Sequence, residues 1–172
     1  MGEGTKILAI EPVSVNFKQL IINVGVNGLE NRIEPLRLAV GDFDGEIEIY
    51  VREKRNQSSI IGEGSVGNSK TEKVRMVTLE TLFREYKIPM KDILLRFDIK
   101  GYEYNLVTKN KEFLKELHNS YIAFELHTKV LGIENSLKVL EELMDIGFNV
   151  VNVSNKYPPH IYILSKNYSQ LV

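Results

Sequence analysis

The chain has no cysteine, which removes disulfides, thiolate metal ligands and cysteine nucleophiles at once. It has no excess of either charge: 22 basic side chains stand against 23 acidic ones, so no global field draws it toward nucleic acid or anionic membrane. Its Tyr and Phe residues fall mostly on apolar faces, which leaves no stacking platform for single-stranded nucleic acid. No apolar run reaches membrane-spanning length, and no charged-then-apolar leader precedes a cleavage site. Neither nucleic acid nor membrane is therefore an expected partner, and the expected location is the cytoplasm. Internal repeats are also missing.

What is present is an ordinary globular composition, 43% apolar and 26% charged. The 172 residues suffice for one domain with a sizeable core and are too few for two comfortable ones, so a single domain over 1–172 is expected. The organising stretch is ILLRFDIKGYE at 93–103. An apolar run meets Asp98, then Gly101, then a helical pattern, which reads as a strand buried on both faces, a tight turn and a returning helix. A carboxylate at the C-terminal end of such a strand lies where open α/β sheets bind ligands. Capping of the next helix is the plainer role for Asp98.

Around this stretch the pattern predicts strands over Lys6–Ile10, Glu34–Val40, Glu46–Val51, Val74–Val77, Tyr121–Leu126, Phe148–Val153 and Ile161–Leu164. Helices are predicted with Ser14 as N-cap, Phe17, Leu20, Ile21 and Val24 inward and a left-handed stop at Asn27-Gly28; with Thr78 as cap; over Tyr102–His118 with a break near Lys109-Asn110; and over Ile133–Ile146, with Leu137, Leu140, Leu143 and Met144 on one face. A long irregular segment spans Arg52–Glu72, either a functional lid or an unstructured loop, and its Arg52, Lys54 and Arg55 could steer an anion. Tyr157-Pro158-Pro159 reads as a turn. Alternating strands and helices imply a mostly parallel sheet covered on both faces, ending in an antiparallel pair at one edge.

Three acidic residues end predicted strands: Glu11, Asp98 and Glu125. If those strands are parallel, the carboxylates share one rim of the sheet, where a carboxylate can accept two ribose hydroxyls. Glu125 and His127 stand two apart on one predicted strand and so point the same way, a pair suited to deprotonating a hydroxyl with His127 as proton acceptor. Asp98, Glu125 and His127 also carry donors suited to a divalent ion. Their spacing is not diagnostic of one, and no metal is expected.

ILAIEP at 7–12, the helix ending in Asn27-Gly28-Leu29, AVGDFDGEIEIYV at 39–51, Ser58-Ser59, MVTLETLF at 76–83, LLRFDIKGYE at 94–103 and YIAFELH at 121–127 follow one another in order. Together they resemble the FkbM family of S-adenosylmethionine-dependent methyltransferases, over nearly the whole chain up to about Val153. The resemblance implies a Rossmann-like class I methyltransferase α/β sheet, mostly parallel with an antiparallel last strand, and O-methyl transfer to a hydroxyl of a sugar, glycan or other small metabolite. It places Glu11 at the cofactor ribose, Asp42 near the adenine, and Asp98 at the methyl-transfer end beside Glu125 and His127. Lys100 and Glu103 fall at the acceptor substrate.

Two departures from the family pattern shape the expectation. Lys100 stands where the family has an acid in D-x-E-G, which reverses a charge at the pocket mouth. The family's glycine-rich first strand and turn would lie about thirty residues upstream of Glu11, whereas ten residues precede it here. A sheet lacking that first strand and helix leaves buried strand edges that must pair together, or be completed by a second protomer or a partner chain. The expectation is a truncated or misread methyltransferase. The alternative is a non-catalytic binding or assembly module that has lost its cofactor site.

Overall fold

A computed structural model of the chain describes residues 4–51, 70–154 and 161–166. They gather into two compact units, one ending at Val77 and the other beginning at Thr78. The segment 52–69 and the turn at 157–159 lie outside the described residues.

In the first unit, β1 (Ile7–Ile10) pairs in parallel with β2 (Ile33–Leu36) through the crossover helix α1 (Ser14–Val26). Pro12, which has no N–H, ends the β1 ladder, the last bond running from the Glu11 N–H to the Leu36 carbonyl at 3.1 Å. The predicted strand over Glu34–Val40 is two strands. Its first part joins β1, while β3 (Ala39–Val40) joins β5 (Lys70–Val77) in parallel. β4 (Gly45–Val51) lies antiparallel on the other side of β5. β5 thus begins four residues earlier than its apolar end suggests, because Lys70–Lys73 alternate along the exposed part of the β4 pairing. Ile49, Val74 and Met76 form the core of this unit with Val13 and Ala39.

Gly41 follows β3 where a side chain has no room: a Cβ there would lie 2.2 Å from Met76 Sδ, and Met76 is fully buried. The turn that carries Asp42 therefore depends on glycine, and the Gly41 N–H donates to the Val77 carbonyl at 2.9 Å.

The start of α1 is held from far along the chain. Ser14 is the first helical residue, not the cap, and Val13 occupies the cap position without a side-chain bond. Glu72 of β5 takes over: its carboxylate accepts from the Ser14 N–H at 3.0 Å and the Ser14 hydroxyl at 2.6 Å, and pairs with Arg37 at 3.0 Å. A carboxylate at the positive end of a helix dipole is favourable. The inward face is narrower than the predicted stripe, since Val24 is buried but Ile21 is exposed. At the other end, Gly28 adopts φ 63° and the Leu29 N–H reaches back to the Val24 carbonyl at 3.0 Å, the glycine stop expected there.

In the second unit, Thr78 caps α2 (Leu79–Tyr86) by accepting from the Thr81 N–H at 3.2 Å. The unit's sheet runs β6 (Leu94–Phe97), β7 (Ser120–Glu125), β9 (Ile161–Lys166), β8 (Asn149–Val153). β6 and β7 are parallel; β9 is antiparallel to both β7 and β8. The antiparallel closing pair is as expected. The sheets are mixed, however, with as many antiparallel as parallel pairings among the described strands. The expectation of a mostly parallel sheet is corrected to that extent.

β6 is not buried on both faces. Among the described strands it ends its sheet beside β7; Leu94 is 64% exposed, while Phe97 packs edge-on against Phe124 at 5.6 Å. The predicted helix over 102–118 is two, α3 (Glu103–Lys109) and α4 (Lys111–Lys115), broken at Asn110 as expected. Asn110 is buried at the break, where its side chain accepts from the Leu79 N–H and donates to the Leu106 carbonyl. Helix α5 (Thr128–Asp145) starts earlier than predicted and is interrupted at Gly132, whose φ of 78° is non-helical. The buried stripe differs from the predicted one. Ser136, Val139 and Leu143 are inward, while Leu137 and Met144, expected in the core, are each 54% exposed.

Glu72 supplies a pH test. The Ser14 hydroxyl hydrogen bond, aided by the Ser14 N–H and Arg37, holds its carboxyl below the ordinary 4.5 despite an opposing contribution from burial. A depressed folded value means the stabilisation is complete above about pH 4.5 and is lost as pH falls through the folded value. Glu72→Gln should cost about 1–2 kcal/mol at neutral pH. Denaturant titrations should show the gap between variant and parent closing in acid, and a constant gap would contradict the assignment.

Candidate functional site

The site lies in the second unit and follows from one register. β6 and β7 run parallel with Phe97 opposite Phe124, so the next residues on the two strands, Asp98 and Glu125, emerge side by side at their C-terminal ends. Adjacent strands stand about 4.8 Å apart, and equivalent register positions point to the same face. That face is the one carrying the exposed Leu94 and Tyr121; Phe97 and Phe124 point into the core. The sheet therefore separates apolar packing from two neighbouring carboxylates.

Past Asp98 the backbone turns sharply. Lys100 has φ 50° and Gly101 φ 97°, two successive left-handed residues, before Tyr102 takes the cap position of α3. Glycine accepts this freely, while Lys100 is held in a sparsely populated region. The helix-capping role for Asp98 is excluded by this turn, since α3 begins at Glu103. Instead the turn carries Glu103 inward. Its side chain is wholly buried, and its Oε1 lies 2.6 Å from His127 Nδ1.

His127 follows the end of β7, with φ −86° and ψ 63° at the head of α5, so the strand alternation that predicted a shared direction for Glu125 and His127 stops at Glu125. Their donor atoms converge nonetheless. A ligand atom from each of Asp98, Glu125 and His127 lies within 4.8 Å of the others. His127 Nε2 is 3.6 Å from Asp98 Oδ1.

The two ring nitrogens thus have different tasks. With Glu103 as the acceptor, the ring hydrogen of His127 would sit on Nδ1, and a neutral ring would then present its Nε2 lone pair toward Asp98. Exposure rises along the line: Glu103 0%, His127 22%, Asp98 43% for the side chains. A buried carboxyl group holds one ring nitrogen of the imidazole, and the other faces an accessible edge. Glu103 Oε2 is buried with no hydrogen-bond partner among the described residues.

The other residues expected at a site divide as follows. Glu103, expected at the substrate, is fully buried and reaches His127 instead. Lys100 is half-buried in the strained turn. In the first unit, Glu11 directly follows β1 and its Oε1 accepts from the Val13 N–H at 2.8 Å. Asp42 is half-buried in the turn after β3. Sequence reasoning missed the holding role of Glu103. The one available signal was an acid in the first turn of the helix after Asp98.

With this geometry in view, the likeness to known proteins is informative. The Methyltransferase FkbM domain model matches residues 1–150. The chain belongs to the FkbM methyltransferase family. No curated protein matches it. Among solved structures it is similar to the methyltransferase FkbM of Methylobacillus flagellatus KT, with TM-score 0.52 and 14% identity over 94% of this chain. That comparison supports the α/β fold, and the chain spans 36% of the neighbour's length.

The holding role of Glu103 can be read spectroscopically. Long-range 1H–15N correlation spectra should show neutral His127 with its proton on Nδ1. In Glu103→Ala that preference should be lost, together with about 1–3 kcal/mol of stability from the unsatisfied Nδ1–H. An unchanged tautomer in a folded variant would sink the assignment.

Proposed function

We propose that the chain transfers a methyl group from S-adenosylmethionine to a hydroxyl oxygen of a sugar or other small metabolite. The observation that carries this reading is the Glu103–His127–Asp98 line at the C-terminal ends of two parallel strands, in a chain of the FkbM methyltransferase family. A hydroxyl is a poor nucleophile until its proton leaves. A neutral imidazole with its lone pair outward is suited to accept that proton near neutral pH.

In this reading the hydroxyl sits against Nε2, and its proton passes there as the oxygen gains the methyl. Glu103 then stabilises the imidazolium through the Nδ1–H bond. Asp98 beside Nε2 orients the acceptor, and Glu125 lies next to it on the same rim. Most of the acceleration comes from holding the two reactants in line.

The donor supplies an electrophilic methyl on a sulfonium when bound. Glu11 fits its ribose: the carboxylate follows the end of a parallel strand and is pinned by the Val13 N–H, with acceptor capacity left for hydroxyls. Asp42 would serve the adenine side. Lys100, a base where the family pattern has an acid, would suit an acceptor carrying negative charge. No observation favours the non-catalytic alternative.

Isothermal titration of S-adenosylmethionine and S-adenosylhomocysteine into the 172-residue chain tests the donor. Binding is expected, weakened in Glu11→Ala, whereas a folded chain that binds neither would leave methyl transfer as ancestry alone. With a panel of hydroxylated acceptors, Asp98→Ala should abolish transfer, and His127→Asn should slow it by about 10²–10⁴-fold. Normal turnover in Asp98→Ala would remove that residue from the site.

A further inference from the structure

We propose that Asp98, Glu125 and His127 form a binding site for one divalent transition-metal ion of the Mn2+ to Zn2+ series, with Glu103 as the outer carboxylate that fixes the imidazole. This goes beyond methyl transfer and holds or fails on binding alone.

The first support is convergence. One donor atom from each of the three side chains lies within 4.8 Å of the others, and Nε2 is 3.6 Å from Asp98 Oδ1. An ion about 2.1 Å from each donor holds neighbouring donors about 3.0–3.4 Å apart in octahedral or tetrahedral geometry. The required contraction falls within side-chain rotation. Asp98 is 43% exposed just past the end of β6, and Glu125 ends its strand.

The second support is independent of the cluster's charge. A ligating histidine characteristically donates its other ring N–H to a carboxylate, which fixes the tautomer and makes the free nitrogen more basic. Glu103 is placed for that: fully buried, aimed at Nδ1 at 2.6 Å, with its second oxygen buried and unpartnered among the described residues. Burying a carboxylate with half its acceptor capacity unused is unfavourable. A divalent ion beyond the imidazole supplies the positive charge that polarises the ring and offsets the carboxylates gathered around it.

The donor set selects the ion. One imidazole with two carboxylates suits Mn2+, Fe2+, Co2+, Ni2+ or Zn2+ better than Mg2+ or Ca2+, which favour all-oxygen shells. Three protein ligands leave at least one coordination position open, the arrangement of catalytic sites. An acceptor hydroxyl entering that position would be acidified by the ion. His127 would then serve as ligand, and its lone pair would not be available for the proton.

Cobalt(II) is the probe, added to the metal-stripped 172-residue chain. We expect visible d–d absorption saturating at one ion per chain, with matching stoichiometry by calorimetry. Asp98→Asn, an exposed substitution, and His127→Gln should each abolish the band or cut affinity by more than tenfold. Glu103→Gln should keep one ion per chain with affinity lowered about 10–100-fold, the mark of an outer partner. Absence of saturable binding would overturn the proposal, as would equal binding by folded Asp98→Asn and His127→Gln. The titration contains no methyl donor, so metal binding without S-adenosylmethionine binding would reject the proposed function and leave this inference standing.

Discussion

The hydrogen bond between Glu103 and His127 is the contact on which the candidate site depends. Removing a carboxylate from water costs several kcal/mol unless a donor meets it. Here a ring N–H meets it at 2.6 Å, and the pair ties the first turn of α3 to the junction of β7 and α5. Breaking that bond would leave both a buried acceptor and an unheld imidazole. The turn through Lys100 and Gly101, strained at a non-glycine residue, is the local cost of bringing Glu103 to that position.

The second constraint is the parallel register of β6 and β7. Parallel pairing aligns strand ends, so two residues 27 positions apart, Asp98 and Glu125, become neighbours without any turn designed for the purpose. Antiparallel pairing would have sent them to opposite ends of the ladder. The same register sends Phe97 and Phe124 to the other face, where their edge-on contact anchors the strand ends that carry the acids.

Much of this was legible in the sequence because it rests on local signals. Strand ends at Glu11 and Asp98, the Thr78 cap, the glycine stop of α1 and the break near Asn110 all follow from residues within a few positions. What was not legible depended on partners far away. The split of the second strand between two sheets required knowing where β5 would lie. The start of α1 looked like a serine cap because Glu72, 58 residues on, cannot be seen from Ser14. The buried face of α5, Ser136, Val139 and Leu143, depends on which side the rest of its unit covers, and an apolar stripe containing Leu137 and Met144 does not reveal that. Glu103 was read as an acceptor contact from its place in a motif, whereas its direction is set by a bond across 24 residues.

The remaining question about the site is which species uses the Nε2 lone pair. Proton and metal compete for one orbital, so the two roles exclude each other at any instant. As a base, His127 gains from Glu103 because the carboxylate stabilises the imidazolium that forms on protonation. As a ligand, it gains because the same carboxylate raises the donor strength of the ring. The Glu103 bond therefore cannot decide between them. Asp98 can, because its value differs sharply in the two cases. Beside a free imidazole 3.6 Å away, an exposed carboxylate orients a hydroxyl and attracts the imidazolium weakly through water. Beside an ion it becomes a direct ligand, together with Glu125, which has no part in proton transfer to Nε2. The position of Glu125, next to Asp98 in the parallel register and converging on the same point, is the feature that an imidazole base leaves unexplained and an ion uses.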